Sequence, residues 1–190
     1  MTDATLFYAM QVSLDGYMEA PGHDIGWTDP DAELHGYMNE LEDSAQLSLY
    51  GRRTYELMES FWPTADQEAD VPPEVAEFAR VWRESPKVIF STTLESVTGN
   101  ARLVSGDAAA AVAELKRETA GTINVGGAHL AASLLRAGLL DELEAIVYPI
   151  VLGAGTPLLP ELTDRVKLAH VATRTFGSGV VALRYRVDGH

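Results

Sequence analysis

The chain has 190 residues, 46 % of them apolar and 22 % charged, which is enough to bury one sizeable core and lies far from the composition of disordered chains. There is no cysteine, so disulfides, thiolate metal sites and cysteine nucleophiles are excluded together. Net charge is −14, and residues 1–100 carry all of the excess, with 19 acids against 5 bases, whereas residues 101–190 hold 9 of each; such a surface disfavours nucleic-acid binding.

The opening "MTDATLFYAM" carries an acid where a signal peptide carries bases, and no apolar run approaches the ~20 residues of a membrane span. The expectation is a single cytoplasmic domain over 1–190, with no membrane partner. In chain order, Leu6 to Val12 reads as a buried strand ending in the turn pair Asp15 and Gly16. Thr28 or Asp29 can cap a helix over 30–43, with Pro30 at its first position. "AQLSLYG" reads as a strand and "RRTYELMESF" as a short helix stopped by Trp62 and Pro63. A helix over 74–84 precedes the strand "KVIFST", and 102–105 is a short strand. Asp107 caps a helix over 108–119, "TINVGG" is a strand, and "AHLAASLLRAG" a helix closed by Gly138. "LEAIVYPIVL" is a strand, the Gly- and Pro-rich "GAGTPLLP" a loop, and Lys167 to Thr175 and Val180 to Val187 form a hairpin around "FGSG". Alternating strands and helices followed by strands alone predict an α/β sandwich, mainly parallel, with antiparallel strands at one edge.

In such sheets ligands sit beyond the carboxyl ends of the strands, where loops lead into helix starts. Gly126 and Gly127 in "INVGGAHL" let backbone approach a ligand, and the following helix start suits a phosphate. At "YGRRTYE" the same geometry gains two guanidiniums, Arg52 and Arg53, the only bases among the first 79 residues. Cations are disfavoured at a helix start unless an anion joins them, although pairing with nearby surface carboxylates is the simpler reading. Ser91 and Thr92 close a third strand. Three such strand ends imply one extended ligand, such as a dinucleotide. The P-loop, the G-x-G-x-x-G fingerprint, the G-x-S-x-G elbow and zinc-type histidine spacing are absent, so no metal site is expected.

"SLDG", "GRRTYE", "VIFST", "INVGGAHL" and "GLLDELEAIVYPIVLGAGTPLLP" occur in an order that resembles dihydrofolate-reductase-like proteins, and most closely the stand-alone relatives of the reductase domain of the riboflavin-biosynthesis deaminase-reductase. The resemblance spans about residues 5–187. It implies a three-layer sandwich with a mainly parallel sheet of about eight strands and a C-terminal antiparallel hairpin. It also implies NADPH, a homodimer, and hydride transfer to a C=N or C=O group of a small pterin- or pyrimidine-like substrate. By the same resemblance Gly51, Arg52, Arg53 and Thr54 hold cofactor phosphates and Ser91 and Thr92 lie beside the adenosine ribose. Gly126, Gly127, Ala128 and His129 clasp the pyrophosphate, and Ala9 and Met10 face the nicotinamide carboxamide. Asp15 and Glu33 are the candidate catalytic acids, and Trp27 and Tyr37 candidate substrate walls. The chain departs from folate reductases where "WRESPK" offers only Arg83 and Lys87 for a folate tail. A nucleotide-binding or sensory protein without turnover is the alternative, and a flavin-dependent enzyme on a similar fold a third reading.

Overall fold

The computed structural model describes residues 3–160, 162 and 164–188. Among them the strands are β1 (Thr5–Ser13), β2 (Tyr17–Glu19), β3 (Leu47–Gly51), β4 (Lys87–Phe90), β5 (Ala101–Val104), β6 (Thr122–Gly126), β7 (Glu142–Tyr148), β8 (Thr156–Pro157), β9 (Lys167–Thr175) and β10 (Val181–Asp188). The α-helices are α1 (Ala32–Asp43), α2 (Arg52–Glu59), α3 (Pro73–Glu84), α4 (Ala108–Glu118) and α5 (Ala128–Arg136), with a 3₁₀ turn at Trp62–Thr64. Among the described residues, no helix is long and apolar enough to cross a membrane.

Eight strands form one sheet in the order β5-β4-β3-β6-β1-β7-β10-β9, while β2 and β8 pair as a separate ribbon. The first six run parallel, and β10 pairs antiparallel with both β7 and β9. The alternation of each strand sorts side chains between two layers. Leu6, Tyr8, Leu49, Ile123 and Val125 face Val112 and Leu115 of α4 and Leu130 and Leu134 of α5. On the opposite face Ile146, Tyr148 and Ala182 pack under Leu34 of α1, and Tyr50 and Ile89 pack under Tyr55, Phe78 and Trp82 of α2 and α3. The three-layer, mainly parallel sandwich is thus present, with its antiparallel strands at the C-terminal edge.

Several boundaries differ from those read in the sequence. Helix α1 is capped by Asp31, whose Oδ1 accepts from Leu34 N at 2.9 Å, and not by Thr28 or Asp29. Strand β7 stops at Tyr148 because Pro149 cannot donate to a ladder. It lies between β1 and β10, so the mostly exposed β9 is the sheet edge at the C-terminal end. The β2–β8 ribbon was not foreseen.

Candidate active site

Strand β1 pairs with β6 only from Thr5 to Tyr8, opposite Thr122 to Val125, but with β7 from Phe7 to Ser13. Past Tyr8 the two strands part, leaving the β6 side of Ala9 to Ser13 without a ladder partner. Strand β1 leads to α1 on one face of the sheet and β6 to α5 on the other, which is the topological switch point where such sheets bind ligands. A cleft of about 660 Å³ opens there.

Of the residues picked from the sequence, Ala9, Met10, Gly51, Arg52, Arg53, Thr54, Gly126, Gly127, Ala128 and His129 all line this cleft. Helix α2 starts on Gly51 and α5 on Gly127, and neither start has a side-chain cap. Their first N–H groups therefore have no side-chain acceptor at the cleft. The two starts are wedged together. A Cβ on Gly127, which sits at φ +105°, would come within 2.5 Å of Thr54 Oγ1, and one on Gly126 within 2.3 Å of the Tyr50 ring. Thr54 therefore sets the spacing of the helix starts, and the glycine pair is required by packing before any ligand is considered.

Both arginines are partnered by carboxylates. Arg52 Nη1 donates to Glu56 Oε2 at 3.0 Å in a half-exposed i,i+4 pair. Arg53 Nη2 reaches both oxygens of Glu19, at 3.2 and 3.3 Å, and lies 2.6 Å from His23 Nδ1. Glu19 is buried, and burial alone would raise its pKa. Hydrogen bonds from Thr156 and His23, together with the hydrogen bond and charge of Arg53, outweigh that and hold it below the usual glutamate value. The simpler reading of the arginines is thus partly realised, yet each guanidinium retains further N–H donors.

The remaining picks fall elsewhere. Ser91 and Thr92 follow β4 but do not line the cleft; Ser91 Oγ accepts from Thr93 N and Leu94 N and closes a local turn. Asp15 is exposed and outside the cleft, accepting from Ser13 Oγ at 2.7 Å, Leu152 N at 3.1 Å and Gly153 N at 2.7 Å. The Ser13 bond, followed by those two N–H groups, overcomes desolvation and lowers its pKa to about 2, so it serves as a tie between loops and is a poor proton donor. Glu33 is also outside, bound to Gly177 N at 3.2 Å and paired with Arg174 at 3.5 Å. Trp27 stands edge-on to Tyr148, and Tyr37 donates to Glu144 at 2.7 Å; both belong to packing away from the lining. Arg83 pairs with Asp66, and Lys87 is buried against carbonyls of Trp82 and Ser85.

The lining instead includes polar residues that the sequence did not single out: Gln11, Glu42 and Asn124, with Met18, Met38, Leu41 and Ile146. Glu42 Oε1 accepts from Ser48 Oγ at 2.5 Å and Tyr50 Oη at 2.9 Å, and Oε2 from Asn124 Nδ2 at 3.1 Å. Gln11 Oε1 accepts from Tyr148 Oη at 2.6 Å. The available signal was a polar residue inside an otherwise apolar strand, as in "LFYAMQV" and "TINVGG".

Residues 4–182 match the family described as the RibD C-terminal domain. The chain belongs to this family. It is 30 % identical over 183 residues to the uncharacterized protein YyaP of Bacillus subtilis (strain 168), covering 95 % of this chain and 93 % of that one. A solved protein of Shewanella sp. PV-4 whose name links it to riboflavin biosynthesis superposes with a TM-score of 0.76 at 20 % identity, over 97 % of this chain and 99 % of the other. Dihydrofolate reductase of Enterococcus faecalis, solved with NADP(H), gives a TM-score of 0.65 at 15 % identity over 99 % of both chains. This family member accordingly has the dihydrofolate-reductase-like fold.

Proposed function

We propose that the protein is an NADPH-dependent reductase acting on a C=N or C=O group of a small heterocyclic substrate. The observation that carries this reading is the parting of β1 from β6 at a cleft fringed by two uncapped, glycine-led helix starts and two arginines. The residues fit such a cofactor. The first N–H groups of α2 and α5 would receive its phosphates, and the unpaired backbone edge of Ala9 and Met10 its carboxamide. Arg52 would exchange its exposed bond to Glu56, worth well under about 1 kcal/mol, for a stronger one to phosphate. Bound there, NADPH supplies the hydride, and the protein supplies position and electrostatics. Relatives named for riboflavin biosynthesis and for dihydrofolate reduction support the reading.

The test is titration with NADPH and NADH of the wild type and of the Arg52→Ala and Arg53→Ala variants. Loss of a charge-assisted bond, about 1.5–3 kcal/mol, predicts NADPH binding weakened by about 10- to 100-fold, with NADH affected much less. If neither nucleotide binds, the proposal is overturned. A second reading, binding without turnover, is favoured by one observation: Asp15 and Glu33 both lie outside the cleft. NADPH oxidation with any heterocycle separates the two.

A further inference from the structure

The cleft is divided in its chemistry. Its arginines stand at the start of α2, and every other Lys and Arg of the chain lies outside the lining. Arg53 is moreover held by Glu19. The wall built by α1 and by β1 with its following loop carries Ile25, Met38 and Leu41, with Ile146 of β7 beside them. Its carboxylates are Glu42 and, ahead of Ile25, Glu19, which Arg53 and His23 hold. The Glu42 carboxylate is held by three neutral donors from β3 and β6, and the cation that shares its field, Lys87, is buried outside the lining. A carboxylate offers about four acceptor positions, so one remains on Oε2 for a ligand N–H. On β1, the carbonyl of the Gln11 amide is taken by Tyr148, which leaves its NH₂ group as a donor.

We infer that this half of the cleft takes an apolar-faced heterocycle bearing an N–H donor and no phosphate or carboxylate group. The inference rests on the proposed reductase reading but concerns only the second ligand. A substrate anion would meet Glu42 across a largely apolar wall where the neighbouring guanidinium, Arg53, is already held by Glu19, an arrangement that penalises it. The arrangement discriminates by repulsion as well as by attraction.

Pterin and pterin-6-carboxylate form a matched pair of fluorescent probes that differ by one anionic group. Both are to be titrated into the protein alone and into the protein saturated with NADP⁺. Pterin is expected to bind at least about tenfold more tightly than its carboxylate in both states. Glu42→Gln keeps an acceptor for Ser48 and Tyr50 but removes the charge, and should shrink that ratio to about threefold or less. Ile25→Lys, at an exposed position of the wall, should reverse the preference without touching the Glu42 network. Equal or tighter binding of the carboxylate by the wild type overturns the inference, as does failure of both probes to bind. Loss of NADP⁺ binding with the pterin preference intact would instead overturn the cofactor reading alone.

Discussion

Four helix starts of this molecule fall into two pairs. Helices α1 and α4 begin on aspartates, Asp31 accepting from Leu34 N and Asp107 from Ala109 N and Ala110 N. Helices α2 and α5 begin on glycines that cap nothing, and these two alone of the four front the cleft. An aspartate cap satisfies orphan N–H groups within the chain, whereas a glycine leaves them for a ligand. Helix α3, which begins after Pro72, also lacks a side-chain cap, but only α2 and α5 combine an uncapped start with a strand end that opens into the cleft.

Gly51→Asp breaks the contrast most directly. Gly51 has ordinary extended φ and ψ, and a Cβ there meets nothing within 4 Å, so the new side chain causes no strain. The aspartate should cap α2 and add a few tenths of a kcal/mol of stability, while occupying the N–H groups and repelling phosphate. NADPH affinity should fall by about 100-fold with the melting temperature unchanged or slightly raised, as a paired fluorescence titration and thermal melt will show. Unchanged affinity would remove α2 from the cofactor site.

Asp107→Ala is the reverse experiment on a capped helix. Losing two N–H contacts should cost about 1 kcal/mol, or roughly 2–4 °C in melting temperature for a domain of this size, with NADPH affinity unchanged. A drop in affinity would mean that α4 communicates with the cleft, contrary to the separation drawn above.

Legibility followed the same division. The sheet, its antiparallel end and the residues that fringe the cleft at the starts of α2 and α5 were readable because each rests on local pattern: strand followed by glycine, arginines beside a helix start, Asp107 before an alanine run. The start of α1 was misplaced because Thr28, Asp29 and Asp31 stand within four residues of one another, and only geometry decides which accepts from a helix N–H. The β2–β8 ribbon is only three and two residues long and depends on contact between segments nearly 140 residues apart. Asp15 and Glu33 were chosen for being acids near a turn and a helix start. Their partners, the N–H groups of Leu152 and Gly153 for one and Gly177 with Arg174 for the other, are brought to them by the fold. The polar lining of the cleft was not legible for the same reason, since Gln11, Glu42 and Asn124 come from three elements and none forms a motif.

The smallest effect should come from β7, whose Ile146 lines the cleft while its Glu144 does not. Glu144 is opposite Ala9 in the β1–β7 register and almost wholly buried, accepting from Tyr37 Oη at 2.7 Å. Burial raises its pKa despite that bond and the nearby Arg184. For a carboxyl raised in the folded state, the favourable contribution is complete below the unfolded value of 4.5 and is lost as pH climbs through the folded value. Glu144→Gln keeps the acceptor for Tyr37 and abolishes the titration. Its denaturant-derived stability should match the wild type near pH 4 and exceed it at pH 8, with NADPH affinity the same in both proteins. A loss of affinity would place Glu144 in the functional cleft beside Ile146 of the same strand. An unchanged affinity with the altered pH profile would leave Glu144 to the scaffold, together with the aspartate caps.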